Sequence, residues 1–275
     1  KTCPDTGMAG ASRSLYMDGN ATIIAANKLL AAMRKEDGTL RTYDEMKAEG
    51  IETKYLGRYE TNTTPGLCRL DPNTGIGDPT PAFTYCLNLA EVEVDTKTGK
   101  TTVLKFTCVD FVGRIGNIDA VNGQAYSGIM HGIGFALKED YADVKKHANM
   151  FGAGTSYIKD VPDDINLIHI DGAISDGPFG SSGASEAFQA SGHCAVLNGI
   201  YNACGVRIHE IPALPEKVKA GLDAIAKGEK PYEPKKYFLG SDMYEELENI
   251  KENPVQVGTQ SFYVSLDDPT AERPF

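Results

Sequence analysis

Three stretches of the 275-residue chain combine residue types that can do chemistry, and each is a loop running into a helix. The glycines Gly177, Gly180 and Gly183 precede Ala184-Ser185-Glu186. Glycine lets a backbone approach a bulky group closely, so this loop is a candidate cofactor contact. Glu186 has no Lys or Arg within ten positions. Desolvation there would suit it to proton transfer; a plain charge–dipole cap worth about 0.3–1 kcal/mol is the competing reading. The second stretch is Gly10-Ala11-Ser12-Arg13-Ser14. A helix start has free N–H groups and a partial positive charge, a natural seat for phosphate, although taken alone the stretch is better read as an ordinary Ser12 or Ser14 N-cap. The third is Gln124, with His131 seven positions later on nearly the same helical face. A Gln amide can hydrogen-bond a ligand amide or a pyrophosphate oxygen; it is as readily a solvated surface group, and a lone helical His is usually structural.

Other chemistry is excluded. Gly132-Ile133-Gly134 and Gly152-Ala153-Gly154 lack the third glycine of a dinucleotide fingerprint. Cys3, Cys68, Cys86, Cys108, Cys194 and Cys204 form no C-x-x-C, so they supply neither a zinc ribbon nor an iron–sulfur run. They read as free thiols. His193 and Cys194 are neighbours, but side chains one residue apart on a helix diverge by about 100°, which assigns Cys194 to core packing rather than to a nucleophile pair. The net charge of −11 argues against a nucleic-acid partner. No apolar run approaches the ~18 residues of a membrane span. Without a leader-like h-region at Lys1, the expected compartment is reducing and cytoplasmic.

The elements that must position these loops follow from periodicity. Ile23, Ala26, Leu30 and Met33 share a helical face that stops before Gly38. A short helix fits 42–49, and 61–82 reads as a loop. Strands over 85–95 and 101–110 make a hairpin across a Thr/Gly link. A helix follows over 121–141 with Ile129, Ile133, Ala136 and Leu137 on one face, then a strand over 164–171. A single helix is expected over 187–204, with Cys194, Leu197 and Tyr201 at helical spacing, then a strand over 206–211 and a helix over 215–227. The fold class is α+β: two subdomains of mixed or antiparallel sheet with packed helices, split near 60–85, within a domain over 1–228. Residues 229–275 read as a linker, a short acidic helix and an extended tail.

As an ordered series these segments resemble the molybdenum hydroxylase family, the xanthine oxidases and above all the bacterial aldehyde oxidoreductases. Pro4-Asp5-Thr6 with Gly10-Ala11-Ser12-Arg13-Ser14 and Gly19-Asn20-Ala21 resembles the family's dinucleotide-holding loop and helix. The 90–99 hairpin, Asp110-Phe111-Val112-Gly113-Arg114, Gly123-Gln124 and His131-Gly132-Ile133-Gly134 match in order, and Gly177 to Glu186 resembles the catalytic loop. Gly205-Val206-Arg207-Ile208 through Val218 matches the last strand and helix.

The resemblance implies the C-terminal half of a molybdopterin-binding domain, from an enzyme that oxidises aldehydes to carboxylic acids with water as oxygen source. Glu186 would be the general base. Ser12, Arg13, Ser14, Leu15 and Tyr16 would hold the nucleotide end of a molybdopterin cytosine dinucleotide, Gln124 would hydrogen-bond it, and Ser182, Gly183, Ala184 and Ser185 would line it. No side chain would ligate the molybdenum. The [2Fe–2S] clusters and the N-terminal molybdenum domain would lie in other parts of the protein or in a partner chain, leaving this chain inactive by itself; the full enzyme would be a homodimer. Two departures stand out: Ser185 replaces the usual glycine before the glutamate, and His131 stands where the family commonly has Gln. The alternatives are a family member acting on N-heterocycles or thioesters, and a non-catalytic cofactor-binding or assembly module.

Overall fold

β1 (Tyr85–Val94) and β2 (Thr101–Phe111) pair antiparallel, as the hairpin pattern predicts. The link is closed by Asp95, whose carboxylate accepts from the Lys97 amide and the Thr98 hydroxyl, both at 2.8 Å. From β2 the chain crosses over through α3 (Ile118–Leu137) and returns as β3 (Asp164–His169), parallel to β2. A parallel return needs such a crossover. The sheet order is β1-β2-β3, so the sheet is mixed and the fold is α+β. These coordinates are a computed structural model that describes residues 10–60, 82–143, 145–174 and 176–229. The chain divides into Lys1–Tyr232 and Glu233–Phe275. The helix and tail expected beyond residue 229, and most of the expected 61–82 loop, lie outside the described residues.

The core forms where periodicity places it. Phe106 and Cys108 on the inner sheet face pack with Ala125, Ile129, Ile133 and Ala136 of α3, all within 2% of full burial. α3 starts earlier than its apolar stripe suggests because Asn117 caps it, its Oδ1 accepting from the Ala120 amide. A second cluster joins Ile200, Val206, Ala213 and Val218 beneath α7 (Pro215–Ala226), which begins on a proline as expected. The outer sheet face is different. Tyr85, Leu87, Leu89 and Ile168 are 44–64% exposed, and the strand register places them on one side.

Four expectations are corrected. The helix over 187–204 is two helices, α5 (Ser185–Ala190) and α6 (Gly192–Cys204), broken at Ser191. The break lets the glycines of α3 and α6 meet: a Cβ on Gly132 would lie 2.8 Å from the Gly192 Cα. In α6 the inward residues are Gly192, Val196 and Ile200, while Cys194 and Tyr201 are exposed, so Cys194 is not a core residue. The 206–211 segment is not a strand; Val206 drops into the core and contacts Gly221 of α7 instead of pairing with a neighbour. In α1 (Ser14–Met33) the anticipated face is largely open, with Leu30 40% exposed and Tyr16 the buried residue. The packed part of that stripe is its N-terminal end, where a Cβ on Gly19, on the same face as Ile23, would lie 2.7 Å from the Pro178 side chain. α2 (Tyr43–Ala48) follows, with a Thr42–Glu45 capping box. α4 (Met150–Ala153) is a single turn. Among the described residues no helix is long and apolar enough to cross a membrane.

Candidate functional site

Two of the three candidate stretches meet directly. The Ser12 hydroxyl lies 2.8 Å from that of Ser185, 173 residues later, and accepts a hydrogen bond from the Glu186 amide at 3.1 Å. The approach is close because Gly183 has no side chain: a Cβ there would stand 1.7 Å from the Ser12 carbonyl oxygen. The glycines of this loop therefore accommodate the chain's own backbone. At Gly177 the near neighbour is the Ser181 carbonyl, and at Gly180 it is the Ala173 side chain.

On the other side of the contact Ala11 and Ser12 hold φ of 55° and 54°, a region that costs L-residues energy and that clusters at functional sites. Neither expected serine caps α1. Ser12 is committed to Glu186, Ser14 is the first helical residue, and Arg13 in the cap position makes no side-chain cap. Among the described residues no side chain caps the first turn of this 20-residue helix.

The glycine loop is fixed to the sheet and to α1. Gly113 bridges to Ser181, the Arg114 amide donates to the Gly180 carbonyl at 2.8 Å, and the Ser181 hydroxyl donates to the Arg114 carbonyl at 2.6 Å. Asn20 of α1 donates to the Asp176 carbonyl at 2.9 Å. Phe179 sits at the tip with φ 53° and its ring 80% exposed, an unusual state for a bulky residue that the sequence does not announce.

The third stretch joins across α3 and α5. Gln124, Ser127, Gly128 and His131 of α3 line a cavity of about 110 Å³ with Ser185, Glu186 and Gln189 of α5. Gly128 sets the spacing, since a Cβ there would lie 2.6 Å from that of Phe188. The Glu186 carboxylate is exposed rather than desolvated by this chain, so the expected desolvation is not supplied by the described residues. Of the other expected contacts, Arg13, Ser14 and Leu15 are exposed at the start of α1, and Ser182, Gly183 and Ala184 are half-buried. Tyr16 faces inward, edge-on to Tyr59 at 6.2 Å between ring centroids. Burial and then its hydrogen bond to Tyr59 push its hydroxyl well above the usual tyrosine range.

One buried network went unseen in the sequence. His169 of β3 donates from Nδ1 to Asp110 Oδ2 of β2 at 2.7 Å, and its Nε2 lies 2.8 Å from Asn122 Oδ1 of α3. Burial raises the Asp110 carboxyl above the usual range, and the His169 hydrogen bond partly offsets it. This bridge anchors the start of α3, two residues before Gln124, to the sheet. The only available signal was a polar His within the apolar alternation of 164–171.

Residues 1–162 match the molybdopterin cofactor-binding domain. The chain belongs to that family. The aldehyde oxidoreductase of Megalodesulfovibrio gigas is 43% identical over 223 residues, covering 81% of this chain and 24% of the relative. The crystal structure of the aldehyde oxidoreductase from Desulfovibrio desulfuricans superposes with a TM-score of 0.73 at 44% identity, over 78% of this chain and 23% of that one. A probable hypoxanthine oxidase of Escherichia coli K12 is 30% identical over 151 residues, 54% of this chain and 16% of the relative. The chain spans about a quarter of the length of the aldehyde oxidoreductases it matches.

This molybdopterin-binding domain carries features that fit a phosphate-bearing cofactor. Among the described residues no side chain caps the first turn of α1, Arg13 stands beside it, and the α3–α5 cavity is lined by amides, hydroxyls, an imidazole and a carboxylate.

Proposed function

We propose that this domain is the C-terminal molybdopterin-binding part of an aldehyde-oxidising molybdenum hydroxylase, with Glu186 as its general base. The observation that carries the reading is convergence: Ser12 fixes the Glu186 backbone while Gln124 lines the same cavity as the Glu186 carboxylate. When bound, a molybdopterin cytosine dinucleotide supplies the two-electron redox chemistry. Ser12, Arg13 and Ser14, with the amides of Leu15 and Tyr16, hold its pyrophosphate end through hydroxyls, a cation and the helix start. Gln124 hydrogen-bonds it, and Ser182, Gly183, Ala184 and Ser185 lie alongside. A Glu186 carboxylate oxygen accepts the proton released as water oxygen adds to the substrate carbonyl, and the exposed face of the cavity admits that substrate. The [2Fe–2S] clusters belong to other parts of the enzyme, which works as a homodimer.

In the complete enzyme, Glu186→Gln keeps the shape and removes the base, so turnover should fall by ~10²–10⁴-fold with molybdenum and cytidine nucleotide content unchanged. Near-normal turnover would refute the role. A second reading, oxidation of an N-heterocycle, is favoured by the 30% identical relative named as a probable hypoxanthine oxidase. Parallel assays with acetaldehyde and hypoxanthine separate the two.

A further inference from the structure

We infer that His131 is a further binding residue of the Glu186 cavity, donating a hydrogen bond from its imidazole to an acceptor oxygen of a small carbonyl ligand seated there. The inference rests on the proposed role of Glu186 and concerns a different residue of the same site. Gln124, Ser127 and His131 fall at i, i+3 and i+7, one stripe of α3, and all three line the cavity. Ser185, Glu186 and Gln189 form the facing wall on α5. Among the described residues the His131 nitrogens make no hydrogen bond, and the ring's one aromatic neighbour is Phe135, 6.3 Å away between centroids. A half-buried imidazole without a protein partner is left to bond water or a ligand. Here the open direction is the cavity.

The chemistry of the wall defines the ligand. No Lys or Arg lines it, so it has no fixed positive charge for a phosphate. The carboxylate can only accept hydrogen bonds, so a ligand oxygen must be met by the amides, the hydroxyls or His131. Further along the same face of α3, Gly132 packs against the backbone of Gly192 and His193. The cavity, at about 110 Å³, has room for a small ligand such as an aldehyde.

The test uses the purified complete holoenzyme with His131→Leu, His131→Gln and Glu186→Gln. Readouts are molybdenum and nucleotide content, acetaldehyde kinetics from pH 5 to 9, and acetate binding by calorimetry. The inference expects unchanged cofactor content in both His131 variants. His131→Leu should raise KM and weaken acetate binding by about 10-fold, the worth of one lost hydrogen bond to a charged or polar partner. His131→Gln keeps a donor and should restore both to within about 3-fold. Wild-type KM and acetate affinity in His131→Leu would overturn the inference even if Glu186→Gln is inactive. Loss of molybdenum from His131→Gln would also overturn it, by placing the residue in cofactor retention. If Glu186→Gln stays active while the His131 effects hold, the proposed base is wrong and the binding residue stands. Should His131→Leu fail to fold, the KM and acetate affinity of His131→Ala decide on the same criterion.

Discussion

Replacing Gly183 by alanine tests the joint on which the site depends. The new Cβ would stand 1.7 Å from the Ser12 carbonyl oxygen, 2.7 Å from its carbon and 2.9 Å from its Cβ, against a practical minimum of 3.0 Å. The 182–186 loop must therefore move from the 11–13 turn by at least 3.0 − 1.7 = 1.3 Å. The contacted atoms are mainly backbone, so no side chain can swing aside. That displacement breaks both bonds of the joint, the 2.8 Å hydroxyl contact with Ser185 and the 3.1 Å bond from the Glu186 amide. Two neutral hydrogen bonds at about 1 kcal/mol each and an overpacking cost of about 1–3 kcal/mol give about 3–5 kcal/mol. Ser12→Ala loses the same bonds without the clash and should cost about 2 kcal/mol. Urea unfolding of the complete enzyme, followed at this domain by hydrogen exchange, measures both. A shift of ~1 Å at a catalytic group can cost ~10²-fold in rate, so Gly183→Ala should also lower turnover more than Ser12→Ala. Wild-type protection of 182–186 and wild-type turnover in Gly183→Ala would refute the reasoning.

The remaining predictions concern charge. His169→Leu removes the partner of a carboxyl whose side chain is fully buried, which should destabilise by about 3–5 kcal/mol when Asp110 is ionised. The Asp110 pKa is already raised by burial and loses its lowering partner, so native Asp110 holds its proton more tightly than the unfolded chain does. The penalty should therefore be small below the usual carboxylate range and grow as pH rises; equal losses at pH 4 and pH 8 by denaturant titration would contradict this. For Glu45, hydrogen bonds from the Thr42 amide and then Lys35 hold the folded pKa near about 2, below the ordinary 4.5. Its contribution is present above pH 4.5 and is lost as pH falls toward 2. Glu45→Gln should flatten the dependence of melting temperature on pH in that window, and an unchanged slope would count against the capping box.

Much of the fold was legible because it follows local rules. The Ile129–Ile133–Ala136 stripe, the Asp95 turn and the Thr42–Glu45 box each declare themselves within a few residues. The break at Ser191 did not, since its cause is the crossing of α6 over Gly132 of α3, a contact between helices. The 206–211 segment has the composition of a strand but no neighbour to pair with, and Val206 is drawn down by α7 instead. In α1 periodicity found the face but not its extent: Gly19 at its N-terminal end packs on Pro178, more than 140 positions away, while Ala26 and Leu30 stay exposed. The site shows the same division. Glu186, Gln124 and Ser12 were identifiable by type and setting, but the hydroxyl of Ser12 reaching Ser185, the bridge of His169 and the bent backbone of Phe179 depend on which loops the sheet brings together.

The outer sheet face, bearing Tyr85, Leu87, Leu89 and Ile168 in the open, also governs how this polypeptide behaves on leaving the ribosome or an expression host. Among the described residues its sheet ends on β1 and β3, so two strand edges have no described strand partner beside that apolar surface. Such a combination promotes sheet-to-sheet adhesion between copies. Produced alone, the chain should precipitate with rising concentration even while correctly folded. Leu87→Lys with Ile168→Lys, which leave the buried side of the sheet untouched, should raise the soluble yield.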